Sequence, residues 1–356
     1  MTVPSTTVAR GTTFARFLKA LATAKGDVLA AEGFAEGQPW MNTPEVARSL
    51  KALVNPVDTV ALVAAIAPIA FDMAEFLRPL TIQGRMTGTR RAPFRTRLLV
   101  ESVGGSGAWV REGRPIPVSA AGIADETNLA PLKVAAIRVL TSELLRSAVP
   151  GSDALIAADC GSSLVAAMDE AFIDPDNAGL FDEMPASITH GSPTFTSTGS
   201  TLAAIDHDLG LLVKSLVEAE MSLSSAVFVL HPTTAVNLAL MRGESGAPAF
   251  PQISARGGSL LGINCITSTA CSASGSPGPL RFMALIEQSE ILIADDNGGD
   301  VTLSTQASIQ MDDHPTSPNY SVSLWQNNLV GLRCTRFVNW RRRRTGAAAV
   351  LTSVGY

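Results

Sequence analysis

The sequence predicts an α+β chain, and three observations carry that prediction. Two apolar runs, PFRTRLLVESV from Pro93 and LKVAAIRVL from Leu132 to Leu140, are rich in Val, Leu and Ile. Gly, Pro and Asn bound them, which is the composition of β-strands. A long amphipathic helix follows the second run. Beyond residue 179 helix-like and strand-like segments alternate, so an α/β layer is expected there.

The chain opens with residues 1–78, which read as helical. TTFARFLKALATAKGDVLAAEGFA places Phe14, Phe17, Leu18 and Leu21 on one face. Thr43 reads as the cap of a second helix with Pro44 at its first position. Pro56 and Asp58 punctuate before a third that runs to Phe76 and Leu77. These amphipathic faces require an apolar partner. The preferred reading is an arm whose apolar residues grip a neighbouring subunit; a built-in assembly aid and a small helical layer on the chain's own core are the alternatives. VALVAAIAPIAF (Val60 to Phe71) is too short for a bilayer and is broken by Pro68, so no membrane span is expected.

Residues 79–92 link into the strand that opens at Pro93. From there to residue 131 the chain carries GGSG, AWVREGRPIPVS and AAGIADETNLAP, too polar and too rich in Gly and Pro for a tight turn. A connection of that length without its own core is usually functional, and it reads as an arm that gains burial only on another molecule. Trp109, Arg111, Glu112 and Arg114 are its candidate contacts. The strand from Leu132 then leads into a helix capped by Ser152, with Ile156, Cys160, Leu164, Met168 and Phe172 recurring at i+4. Asp174-Pro175 ends it, because proline disfavours helical geometry in the residue before it.

Between residues 179 and 299, TLAAIDHDLGLLVKSLVEAE is an amphipathic helix and SAVFVLHP a buried strand. Pro232 opens the helix AVNLALMRG, GINCITST and RFMALIEQ are further strands, and ILIADDNGGDVTLST reads as a hairpin turning at Asn-Gly. Return strands follow over 300–344, and AAAVLTSV supplies a last strand in 345–356.

Composition excludes several classes. A chain of 356 residues with 46% hydrophobic and 17% charged residues is well cored, not disordered. A net charge of −5 argues against a tight nucleic-acid binder. Four cysteines without CxxC spacing read as reduced, mostly buried thiols; Cys265 and Cys271 could pair, though a strand end followed by a loop is the plainer reading. The polar N-terminus does not read as a secretory signal.

A search for catalytic chemistry finds no convergent set. GGSGA and GESGA lack the final glycine of a nucleophile elbow, and GGSLLG lacks the lysine of a phosphate loop. His190, His207, His231 and His314 have no metal-ligand spacing, although His207 between two aspartates could hold a metal. DDNGGD lacks the far ligand of a calcium loop. No enzymatic activity, cofactor or metal is expected. The dense charge run Arg341, Arg342, Arg343 and Arg344 admits ion pairs with a neighbouring subunit, a solvated turn, or contact with DNA; planar guanidinium forks suit interface carboxylates, and the first is preferred.

The order of AWVREGRPIP, NLAPLKVAAIRVLTSELL, a long helix ending in FIDP, VFVLHPTTAVNLALMRG, GGSLLGINCITS and ASIQMDD…SLWQNNLVGLRC…FVNW resembles the major capsid proteins of tailed bacteriophages, from about residue 75 to the end. The resemblance implies that fold: an N-terminal arm over 1–78, an extended E-loop hairpin over 93–131, and a P domain with its spine helix over 132–178. An A domain over 179–299, P-domain return strands over 300–344 and a final A-domain strand over 345–356 complete it. It also implies a homo-oligomer of pentamers and hexamers closing an icosahedral shell. Such a shell encloses double-stranded DNA without sequence-specific binding and works with portal and scaffold or decoration proteins. It is assembled in the bacterial host cytoplasm and resides in the virion capsid. Encapsulins and gene-transfer-agent shells share the fold and stay as alternatives. Some members weld neighbours through an E-loop lysine; no lysine lies between Lys51 and Lys133, so that weld is not expected.

Overall fold

The computed structural model describes residues 10–24, 27–38, 40, 43–54, 68, 72, 75–96, 98–103, 109–112, 122–126, 129–143, 152–243, 246–273, 280–311 and 321–356. The chain forms two compact units. One comprises Met1–Arg85, Lys133–Asp169 and Asp296–Phe337; the other comprises Met86–Leu132, Glu170–Asp295 and Val338–Tyr356. The apolar run Val60 to Phe71 lies almost wholly outside the described residues.

In the first unit three helices, α1 (Thr12–Thr23), α2 (Val28–Glu36) and α3 (Pro44–Val54), precede the core. The start of α1 is held by the Asp72 carboxylate, which accepts from Gly11 N–H at 2.9 Å and Phe14 N–H at 3.0 Å. Such a side chain satisfies amides that have no partner inside the helix. Asp27 does the same for α2, accepting from Leu29 N–H at 3.0 Å and Ala30 N–H at 3.3 Å. Arg16 ties the layer together: its guanidinium donates to Thr43 Oγ1 at 2.8 Å and lies 5.7 Å from the Trp40 ring centre.

The spine helix runs Ser152–Ile173, and its expected apolar face is buried at Leu164, Met168 and Phe172. Gly161 sits mid-helix, where glycine ordinarily weakens helical structure. A Cβ there would come within 2.9 Å of Phe76 and 3.0 Å of Leu77, so its missing side chain is the space those residues fill. Asp169, buried on the same helix, accepts from Ile82 N–H at 2.8 Å and so caps the short helix Ile82–Arg85.

A four-stranded sheet has the order Arg90–Arg91, Ile291–Ser304, Leu329–Arg342, Leu132–Thr141. This corrects one expectation. Ile291–Ser304 is a single strand of 14 residues, not a hairpin at Asn297-Gly298. In the sheet the strand neighbours the equally long Leu329–Arg342, and pairing with that partner outweighs the local turn preference of the dipeptide.

The second unit is built on a seven-stranded mixed sheet. Its order is Thr194–Thr196, Ala348–Thr352, Met283–Glu287, Ala226–Leu230, Ile263–Thr267, Gly257–Leu260, Ile253–Ser254. The central strands Ala226–Leu230 and Met283–Glu287 are buried at every residue, which is why they read as unbroken apolar runs. The helices Leu202–Glu218 and Pro232–Leu240 cover the sheet through Ile205, Leu209, Leu212, Leu216 and Leu238. The glycine pair in GGSLLG has its physical reason here. Gly257 and Gly258 have φ of +104° and +141°, and a Cβ on either would lie 2.4 Å or 2.0 Å from a neighbouring carbonyl oxygen.

A second correction concerns the segment GIADE, which belongs to a strand and not to the polar connection. Leu98–Val103 pairs antiparallel with Gly122–Glu126 as a two-stranded sheet of its own, and not with the apolar run Leu132–Thr141. The segment GIADE read as part of a polar connection because it carries two acids in five residues. A strand of a two-stranded antiparallel ribbon has no need of the continuous apolar run that a strand buried on both faces shows.

Candidate inter-subunit surfaces

Three groups of residues were expected at subunit contacts, and the structure places them differently. The first is the arm. Trp109 is fully exposed, and Arg111 and Glu112 are exposed beside it. Arg114 lies outside the described residues. An indole with no cover from its own chain is an available anchor.

The second group, the apolar face of α1, is a correction. Phe14, Phe17 and Leu18 are buried, and Leu21 packs against the same cluster, together with Val46, Leu50, Leu77, Leu164, Val330 and Leu332. All of these belong to the first unit. The partner that the amphipathic faces require is the chain's own core, so the helical-layer alternative describes them and the arm reading does not. Periodicity shows that a face must be covered but not by which molecule.

The third group, the arginine run, is likewise engaged at home. Arg342 donates from Nη1 to Ile188 O at 2.7 Å and to Ser192 Oγ, and from Nη2 to His190 O at 2.9 Å. Arg343 and Arg344 share the buried Glu290 carboxylate, at 3.5 Å and 3.2 Å. Expected ion pairs to a neighbour are therefore replaced, for these three, by contacts within the subunit. The reason is that Leu329–Arg342 ends beside Glu290, a carboxylate whose burial demands a countercharge. Burial also holds the Arg342 guanidinium below the usual arginine range, since its three partners are neutral oxygens.

Around this run lies a cleft of 520 Å³, lined by Leu129, Leu132, Trp340, His190 and Arg341 to Arg343 among others. Its walls are fixed by side-chain bonds: Trp340 Nε1 donates to Ala186 O at 2.9 Å, and Asn339 Nδ2 to Ala130 O at 2.7 Å. Trp340 also meets Phe172 edge to face with ring centres 5.2 Å apart.

Sequence reasoning missed a fourth feature, the exposed pair Leu180 and Phe181 just past the spine helix. The signal was an apolar dipeptide outside any periodic segment, inside DNAGLFDEMP. Other candidates resolve into structural roles. His231 caps the helix Pro232–Leu240, its Nδ1 accepting from Thr233 N–H at 3.2 Å. Burial, and then the Arg281 charge, lower its pKa below the ordinary histidine value. Asp206 and His207 are exposed while Asp208 is buried, accepting from Ser197 Oγ at 2.9 Å and Thr198 Oγ1 at 2.8 Å. Those three side chains thus do not converge. Cys265, Cys271 and Cys334 are buried thiols in no disulfide, and burial pushes the Cys265 thiol up to about 12. Among the described residues no group of three or more His, Cys, Asp or Glu converges as a metal site, and no helix is long and apolar enough to cross a membrane.

Known proteins share both sequence and fold with this chain. It is 38% identical over 294 residues to the capsid polyprotein of Pseudomonas phage PAJU2, covering 80% of this chain and 44% of that protein. The chain thus spans less than half the length of that relative. A solved structure from Mycobacterium phage Ogopogo superposes with a TM-score of 0.57 at 17% identity, over 77% of this chain and 92% of that one. One from Gordonia phage Cozz gives 0.53 at 16%, over 76% and 86%. The capsid of a native GTA particle gives 0.50 at 14%, over 80% and 91%. The sequence pattern of the phage capsid family matches residues 76–353, and the chain belongs to that family.

Proposed function

We propose that the chain is a major capsid protein that self-assembles, as pentamers and hexamers, into the icosahedral shell enclosing a phage's double-stranded DNA. The observation that carries the reading is the arm. Among the described residues Leu98–Val103 and Gly122–Glu126 pair only with each other, and the stretch between them carries a fully exposed tryptophan. A two-stranded ribbon by itself is marginal in water, so its cover must come from a neighbour. The arm's Trp109, Arg111, Glu112 and Arg114 are the proposed contacts. Exposed ion pairs contribute only about 0–1 kcal/mol each, so the tryptophan supplies strength and the charges supply register. The role is structural and needs no cofactor. Portal and scaffold or decoration proteins are the expected partners, assembly is in the host cytoplasm, and the product resides in the virion.

The test is Trp109→Ser in the expressed chain, compared with wild type by electron microscopy and by thermal melting. Wild type should form closed, uniform particles, whereas the variant should melt as wild type does and fail to close. Normal particles from the variant would remove the arm from assembly. A wild-type chain that stays monomeric at every concentration and salt would contradict the shell.

A further inference from the structure

The hairpin tip after the spine helix and the arginine-lined cleft are complementary in chemistry, and both belong to the second unit. The tip is rigid. Leu180 N–H donates to Met184 O at 2.8 Å and Met184 N–H to Leu180 O at 3.0 Å, closing a turn of Phe181, Asp182 and Glu183. Below it, Asn177 Nδ2 donates to Ala171 O at 2.8 Å and Pro185 O at 3.2 Å, and Ser187 N–H donates to Asn177 O at 3.1 Å. Gly179, at φ +78°, lets the two legs close up; a Cβ there would lie 2.6 Å from Ala186 N. Asp182 holds φ +60°, a conformation aspartate tolerates better than most residues. This frame presents Phe181 at 102% exposure with the exposed carboxylates of Asp182 and Glu183 beside it.

The cleft offers the opposite. Leu129, Leu132 and Trp340 line it together with Arg341, Arg342, Arg343 and His190; among the described residues no aspartate or glutamate lines it, Arg343 being paired with Glu290 behind it. Among the described residues Arg342 meets only neutral oxygens of its own chain. Its charge is therefore not matched by a carboxylate there. A phosphate group would answer the charge but leave the apolar lining uncovered. An aromatic ring flanked by two acids answers both.

We propose that the Phe181 tip of one copy seats in this cleft of a second copy, ring against the apolar lining and its acids toward the Arg342 guanidinium. The contact rests on the shell reading and gives it a second grip, separate from the arm. Because tip and cleft are different patches, copies related by it pair reciprocally or close into a ring.

The experiment uses two full-length chains of different tag size, Phe181→Cys and His190→Cys, co-expressed and mildly oxidised. The expected product is a reducible dimer containing one chain of each size, absent when wild type replaces either. A second arm compares Phe181→Ser with wild type: the melting temperature should be unchanged, while the protein concentration needed for particles rises roughly tenfold or more. Wild-type particles with no mixed dimer, or assembly unchanged in Phe181→Ser, would overturn this contact and leave the shell standing. A wild type that forms no particles would overturn both.

Discussion

Glu290 is the residue on which the arginine run turns. Its carboxylate is 6% exposed and faces Arg343, whose side chain is 16% exposed, at 3.5 Å. Removing one member of a buried pair leaves a charge without compensation, at a cost of about 3–5 kcal/mol. Glu290→Gln should therefore lower the unfolding free energy of the isolated subunit by an amount in that range, read in urea titration as a lower midpoint. An unchanged midpoint would mean the arginines serve another molecule. His231 sets a pH dependence whose sign follows from its lowered pKa. Its stabilising contribution is full above the ordinary histidine value near 6.5 and is lost as pH falls through the depressed folded value. His231→Asn keeps an N-cap acceptor and removes the titration, so the variant should lose this part of the acid destabilisation seen in thermal melts. The four arginines stood out in the sequence as a charge run, but Glu290 lies more than fifty positions away, and one-dimensional spacing carries no trace of that pair.

At the scale of elements, the layer formed by α1 to α3 is the sharpest departure from the sequence reading. Leu18 and Leu50 are buried among Leu77, Leu164 and Leu332. Truncating such a side chain costs about 2–5 kcal/mol. Leu50→Ala should therefore destabilise the free subunit by that amount in chemical denaturation, and removal of residues 1–54 should leave protein that aggregates or melts without cooperativity. A truncated chain with the wild-type melt would return these helices to the role of an inter-subunit arm. What was legible followed local physics. The spine helix showed in its i+4 apolar series, and the strand Ala226–Leu230 in its unbroken apolar run. What was not legible depended on partners distant in sequence. Asn297-Gly298 carries a hairpin signal but lies within one continuous strand, and Gly122–Glu126 carries almost no strand signal although it pairs with Leu98–Val103.

At the scale of the whole molecule, the arm and the tip are two exposed aromatic anchors that the fold presents without covering. Cys265, Cys271 and Cys334 are buried and form no disulfide within the subunit, and the arm up to Lys133 holds no lysine, so the shell should be held without covalent bonds. Boiling particles in detergent without reductant should release monomers only, and a ladder of oligomers on the gel would reveal a crosslink. The central claim, that this chain is a shell subunit whose arm is completed by a neighbour, is tested most directly by cryo-electron microscopy of particles assembled from the purified chain. The account predicts a closed icosahedral shell in which Trp109 is buried against an adjacent subunit; open aggregates, or closed particles with Trp109 facing solvent, would contradict it.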